Sequence, residues 1–494
     1  MCSVNSAAAA TRGPGHVGCA SRGKLSREKD SVGFWWVRVG TPFVCLALAA
    51  APSLGMVRGK RKRRGAEVRK PNILVIMTDD QTAASVWAMR AVSTKLSALG
   101  TRFRHAFAAT PICGPSRGSM LTGKWSHNTG VTNTGIAYRQ MKDSGMQADT
   151  LATRLKDTGY RTGLFGKYNN DYDELRVPVG WDRWFAMLEP FNREQTYEFN
   201  SNGEGRTFDR SQDNETDVIS NNAEVFIRND PAGPWFAYVC PHEPHGPYYP
   251  APRHAAEFKG ATWDPASEGE ADLSDKPPRV RSEPTYTDVE EAQNERDYRG
   301  KLRELQTVDD MVANLLNALV DTGQLGETLI FFLTDNGFLF GEHRLQDKNL
   351  PYDEACRIPF IVRGPGVDRG YLSNALVSQI DLAPTVCEAA GANTAGMDGR
   401  SLWPLLRGEA PPDWRRYLMI EDVAARWYSL RTPRHWYTEW DGGFRELYDL
   451  RTDPDMMESQ HRDPAKEALM ADLSDRLADL KRCSGSECRS EETA

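Results

Sequence analysis

A chain of 494 residues in which 68 Asp and Glu outnumber 61 Lys and Arg carries a formal charge of −7. With a pI near 5.8, that balance excludes a nucleic-acid binder built on a broad basic face. The length allows a large core plus a smaller second unit, and the nine cysteines include no C-x-x-C pair of the kind that holds zinc.

Residues 1–69 are rich in Ala, Gly, Ser and Arg and read as a signal-like segment outside the folded body. Their apolar stretch, 42–54, is shorter than the roughly 20 residues needed to span a bilayer. It suits a signal-peptide core, with Ala47, Ala49 and Ala51 offering a cleavage site. Export to a secreted, periplasmic or lysosome-like lumenal compartment is expected, and cytoplasmic residence if translation starts near Met56. The run Lys60-Arg61-Lys62-Arg63-Arg64 reads as a solvated linker.

Three short apolar runs, 73–77, 235–240 and 329–333, end abruptly in polar clusters. Runs apolar on both faces predict buried strands of a mainly parallel sheet. Helical patterns at 82–99, 150–158, 216–228 and 288–321 alternate with them, giving an α/β fold with ligands expected beyond the carboxyl ends of the strands. The acidic, Pro-containing segment 263–286 predicts a long surface loop, with a lid over the site as a further reading. Short strand patterns at 417–450 and a helix at 464–480 predict a small C-terminal α+β subdomain. The boundaries are then 1–69, 70–400 for a catalytic domain and 401–494 for the subdomain and tail. Cys483 and Cys488, close together in a Ser/Gly turn, suit a small disulfide and an oxidising compartment.

The polar clusters carry the chemistry. Asp79 and Asp80 follow the first run, Asp335 and Asn336 the third, and Pro241-His242-Glu243-Pro244-His245 the second. Two carboxylates turned to one point repel unless a cation neutralises them, and four hard oxygen side chains suit Ca²⁺ or Mg²⁺ better than zinc. In Cys113-Gly114-Pro115-Ser116-Arg117, Pro115 suits a first helical turn and Ser116 can satisfy a free amide there. Cys113 would then sit at the positive end of a helix, as an activated thiolate or as a buried structural cysteine.

The same string, followed by Leu121-Thr122-Gly123-Lys124, resembles the signature of the type I sulfatases, in which the cysteine is oxidised to formylglycine. The resemblance extends from about residue 70 to 366 through Gly166-Lys167-Tyr168, Pro244-His245-Gly246-Pro247, Asp347-Lys348, Tyr352-Asp353-Glu354 and Arg357-Ile358-Pro359. It implies an alkaline-phosphatase-like core and one Ca²⁺ held by Asp79, Asp80, Asp335, Asn336 and modified Cys113. Arg117, Lys167, His245 and Lys348 would surround the sulfate and its leaving oxygen, with His127 and His343 as further site candidates. It also implies a hydrated aldehyde at position 113 that attacks sulfur, a formylglycine-generating enzyme as a partner in maturation, and a sulfated carbohydrate or aryl sulfate as substrate. Many sulfatases carry a histidine where this chain has Asn169, so a histidine role there is in doubt. The block through Asn170-Asp171-Tyr172, Gly180-Trp181-Asp182-Arg183-Trp184 and Asn200-Ser201-Asn202-Gly203 resembles the branch of N-acetylglucosamine-6-sulfatases and heparan 6-O-endosulfatases, which implies a sulfated amino sugar. Two alternatives stand beside that expectation. One is a phosphodiester or phosphonate monoester hydrolase, since phosphoryl and sulfuryl groups share shape and in-line chemistry; the other is a noncatalytic glycan-binding protein with Cys113 unmodified.

Overall fold

Apolar runs buried on both faces build the centre of the molecule, whose computed structural model describes residues 70–190, 194–229 and 233–494. The signal-like stretch 42–54, Met56 and the basic run 60–64 lie outside the described residues. In chain order the strands are β1 (Asn72–Thr78), β2 (Thr101–Phe107), β3 (Arg161–Gly166), β4 (Arg183–Met187), β5 (Thr196–Ser201), β6 (Glu204–Asp209), β7 (Trp235–Cys240) and β8 (Thr328–Thr334). A hairpin of β9 (Leu339–Phe340) and β10 (Gln346–Asp347) follows, then β11 (Phe360–Arg363) and β12 (Tyr371–Ser378). The main sheet has ten strands in the order β12-β2-β11-β8-β1-β7-β3-β4-β5-β6. Its centre, β8-β1-β7-β3-β4, is parallel throughout, while β11 and β5 run antiparallel to their neighbours.

Alternate residues of β1 serve opposite layers, as the strand's two-residue period requires. Ile73, Val75 and Met77 pack with Met120 and Leu121 of the helix Cys113–Thr122 and with Val386 of Leu382–Ala390. Leu74 and Ile76 face Ile219 and Ala223 of Glu215–Arg228 and Val308, Met311 and Leu315 of Asp288–Asp321. Each of the Ile, Leu, Val and Met side chains among them contributes roughly 1.5–3 kcal/mol on burial.

A second sheet, β13 (Leu418–Asp422), β14 (Trp427–Arg431), β15 (His435–Trp440) and β16 (Arg445–Asp449), is an antiparallel meander. The helix Glu467–Leu480 covers it with Met470, Leu473 and Leu477, and Cys483 and Cys488 form a disulfide. Its core is continuous with Phe107, Leu376 and Ile380 at the edge of the main sheet.

One expected helix is broken. Residues 82–99 form a 3₁₀ turn at Ala83–Ala88, then a π turn at Val92–Leu96 and a 3₁₀ turn at Ser97–Leu99. Asp309 is the cause: its carboxylate accepts from the backbone N–H of Ala91 at 2.7 Å and of Val92 at 2.9 Å, starting a new helical turn after extended Met89. The segment 263–286 is a loop with one short helix, Pro278–Arg281. It is tied down by buried Lys276, which donates to the Met457 carbonyl at 2.6 Å and pairs with Glu270 at 3.1 Å. Among the described residues no helix is long and apolar enough to cross a membrane.

Candidate active site

Thr78 of β1 stands beside Thr334 of β8 in register, so Asp79-Asp80 and Asp335-Asn336 leave the sheet as neighbours. Asp80 has φ +61°, and this left-handed turn brings both carboxylates to one side. The hydroxyl of Ser116 donates to the Asp335 carbonyl at 2.6 Å, which ties the start of the helix Cys113–Thr122 to the same strand ends. Ser116 therefore does not cap that helix. Cys113 is the first helical residue, preceded by extended Ile112, which supplies no side-chain cap.

Cys113 Sγ lies 3.3 Å from Asp79 Oδ1, 3.9 Å from Asp80 Oδ1 and 3.3 Å from Lys348 Nζ. Ligand atoms of Asp79, Asp80, Cys113 and His245 all fall within 4.8 Å of one another. The activated-thiolate reading fails here: burial, reinforced by the Asp79 charge, pushes the thiol well above its ordinary range. A neutral thiol in that position is a poor nucleophile.

The two aspartates stay ionised. Burial works against Asp79, but Lys167 and Arg117 outweigh it and hold the carboxyl well below its usual range. Burial likewise opposes Asp80, and Lys348 with His245 prevails. Lys167 bonds Asp79 Oδ2, and Arg117 Nη2 donates to the same oxygen at 3.1 Å. Lys348 Nζ meets both Asp80 oxygens, at 2.5 and 2.7 Å. Arg117 also gives Nε to Asp335 Oδ2 at 2.9 Å and Nη1 to the Lys167 carbonyl at 2.8 Å, so each of its nitrogens serves a protein oxygen.

Asp335 Oδ1 accepts from the N–H groups of Asn336 at 2.8 Å and Asp80 at 3.2 Å. Burial, aided by Asp79, pushes Asp335 up to about 6. Asn336 Nδ2 donates to Asp80 Oδ1 at 2.7 Å, whereas its Oδ1 is buried with no hydrogen-bond partner. His245 directs Nε2 at Asp80 Oδ2, 3.5 Å away, and Nδ1 donates to the Gly246 carbonyl at 2.6 Å. Burial pushes His245 down, against the pull of Asp80.

All nine residues expected at the site are thus drawn to one end of the central strands. His127 and His343 are elsewhere. His127 meets Glu421 Oε2 at 3.0 Å and the Cys483 carbonyl at 3.1 Å, joining the main body to the second sheet. His343 Nδ1 bonds Glu270 Oε2 at 2.6 Å beneath the Tyr352 ring. Asn169 is buried, and its Oδ1 accepts from the next residue's N–H at 2.9 Å. Two neighbours of the cluster were not among the expected site residues. Lys301, on the long helix Asp288–Asp321, donates to the Asp80 carbonyl at 3.0 Å beneath Phe338, and burial pushes it down to about 8. His242 stacks on His245 with ring centres 4.6 Å apart. A lone helical lysine carries no sequence signal, but the Pro-His-Glu-Pro-His cluster did point at His242.

The ten-stranded, mainly parallel sheet flanked by helices, with a small four-stranded C-terminal sheet, is an alkaline-phosphatase-like α/β fold. A solved structure of a protein bound to its substrate D-glucosamine-2-N,6-O-disulfate shares that fold, with TM-score 0.72 and 23% identity over 86% of this chain and 99% of that one. A family model described as Sulfatase matches residues 71–392, and one described as N-sulphoglucosamine sulphohydrolase, C-terminal, matches residues 341–483. The human N-acetylglucosamine-6-sulfatase is 30% identical over 86% of this chain and 87% of its own length. An extracellular sulfatase homolog from Caenorhabditis elegans is 34% identical over 71% of this chain, which spans only 52% of that relative. The chain belongs to the sulfatase family.

Proposed function

We propose that this protein hydrolyses sulfate esters of amino sugars of the N-acetylglucosamine-6-sulfate type, with Cys113 converted to formylglycine and one Ca²⁺ at the aspartate cluster. The observation that carries the reading is the placement of Cys113 Sγ between Asp79, Asp80 and Lys348. The sulfated amino sugar is supported by the names of the relatives and by the Gly166-Lys167-Tyr168-Asn169-Asn170 block. Residues 70–400 would form the catalytic domain and 401–494 the C-terminal subdomain.

The donor set fits a hard cation. Asp79 and Asp80 are ionised and buried, and the orphaned Asn336 Oδ1 is a neutral oxygen that lacks a donor. Asp79, Asp80, Asp335, Asn336 and the converted residue 113 would hold the ion. Formylglycine supplies an oxygen nucleophile that a thiol of raised pKa cannot, and Ca²⁺ supplies Lewis-acid polarisation.

The chain's own groups do the rest. Lys167 and Lys348 meet different carboxylates of the cluster, Asp79 and Asp80, and would place positive charge where sulfate oxygens gain negative charge. Arg117 fixes Asp79 and Asp335 against each other, which orients both before substrate arrives. The Gly246 carbonyl fixes the Nδ1 proton of His245, so Nε2 is the nitrogen that faces the leaving oxygen. A proton on that atom or on Lys348 Nζ lies within the same cluster.

Maturation then requires a formylglycine-generating enzyme. The disulfide and the extracellular relative support a secreted or lumenal compartment.

Peptide mass spectrometry of native protein across residues 110–117 should find the aldehyde, and Cys113→Ala should lower kcat by roughly 10⁴-fold with the thermal midpoint kept. Unmodified thiol throughout, or faster turnover of an aryl phosphate diester than of N-acetylglucosamine 6-sulfate, defeats the assignment.

A further inference from the structure

Lys348 reaches Cys113 from a stretch of backbone that L-residues rarely form. His343, Arg344, Asp347 and Asn349 all have positive φ, between +54° and +87°. Left-handed backbone at a residue other than glycine persists only where the surroundings hold it. Lys348 lies between two of the four.

The second sheet does the holding. Leu345 and Leu350, 4% and 3% exposed, pack in the same buried cluster as Trp427, Leu430 and Tyr437, so residues 346–349 leave that core and return to it on two apolar feet. Beside the second foot, Asn349 is fixed at both ends of its backbone. Its N–H donates to the Pro111 carbonyl at 2.9 Å, and its carbonyl accepts from the indole Nε1 of fully buried Trp427, the first residue of β14, at 3.3 Å. Pro111 lies two residues before Cys113. The Ala109 carbonyl, nearby on the same segment, accepts from the Glu421 N–H of β13 at 3.0 Å. The backbone entering Cys113 and the backbone leaving Lys348 are thus joined to each other and to one sheet. Lys348 Nζ ends 3.3 Å from Cys113 Sγ, a placement that a flexible four-carbon stem keeps only if its own backbone is fixed.

We propose that Trp427 is a positioning residue for the site: through Asn349, the second sheet holds Lys348 where an oxyanion meets it. This rests on the function proposed above, which sets Lys348 beside the sulfate.

Inorganic sulfate, titrated calorimetrically into the full chain, is the probe. Trp427→Phe keeps an aromatic ring and removes the indole N–H. It should weaken sulfate roughly fivefold, and in a Lys348→Met background the same change should have no further effect. A tryptophan with a merely structural role would lower affinity by one factor in both backgrounds. That result overturns the proposal, as does unchanged affinity with Lys348 present. If Trp427→Phe folds poorly, Asn349→Ala and Asn349→Gly decide. Both remove the side chain, but only glycine takes φ +67° without strain, so the alanine variant should bind sulfate roughly threefold more weakly than the glycine variant. Equal affinities overturn the proposal. Sulfate binding needs neither aldehyde nor turnover, so the two readings fail separately: a chain that shows this coupling and hydrolyses no sulfate ester keeps the positioning and loses the function.

Discussion

Arg117 binds three separate elements at once: Asp79 after β1, Asp335 after β8 and the Lys167 carbonyl after β3. Burial works against its charge, and Asp335 and Asp79 hold it well above even its high ordinary value. Lysine in its place keeps the charge but offers one nitrogen where the geometry needs three. Arg117→Lys is therefore expected to cost about 3 kcal/mol of stability, read as a lower denaturation midpoint at unchanged slope. A variant as stable as the wild type would show that the three contacts are not worth their geometry. At the same scale, the orphaned Asn336 Oδ1 gives metal binding its own test. Asn336→Leu, close in volume and without the oxygen, should weaken Ca²⁺ by roughly tenfold, measured by calorimetric titration. Unaltered affinity would remove Asn336 from the ligand set.

At the level of elements, the site exists because four parallel strand ends meet at one edge, and the close approach of β3 to β7 shows how little room is left. Gly166, the last residue of β3, has φ +108°, and a Cβ there would lie 2.0 Å from the Cys240 carbonyl oxygen. Lys167 follows directly, with its N–H on that same carbonyl at 2.7 Å. Gly166→Ala should lower stability by roughly 2 kcal/mol from backbone strain alone and reduce turnover by displacing Lys167. Wild-type kinetics in that variant would mean the strand end can yield without moving the lysine. The elements that were readable in sequence share a cause. The runs 73–77, 235–240 and 329–333 lie within central strands buried on both faces, so no polar alternation obscures them. The break in 82–99 was not readable because Asp309, more than 200 positions away, starts the second turn. Lys301 was equally silent, since its function depends on a helix that packs beside Asp80 only in three dimensions. His343 misled because its motif neighbours reach the site while its own ring turns to Glu270.

Across the whole molecule, carboxylates buried without full compensation set the pH response. Burial pushes Glu215 and Glu342 each up to about 7 and Glu304 well above its ordinary value. Glu304 Oε1 accepts from the Tyr249 N–H at 2.5 Å, while its Oε2 is buried without a partner. Such groups bind more protons folded than unfolded, so their contribution is full below about pH 4.5 and is lost as pH rises through their folded values. The histidines act in the opposite sense: burial holds His242, His343 and His105 below 6.5, so they favour the folded state increasingly as pH rises toward 6.5 and add nothing further above it. Lys301, down at about 8, favours folding only above that value. Between pH 6.5 and 8 the glutamates therefore act unopposed, and the thermal midpoint should fall. Glu304→Gln keeps the Oε1 acceptor and removes the charge. Its midpoint should exceed the wild type's at pH 8 by roughly 2 °C or more, and the gap should close toward pH 5. Equal midpoints at both pH values, measured by scanning calorimetry at fixed Ca²⁺, would mean that Glu304 is solvated or paired in the folded protein and that its burial does not govern the response.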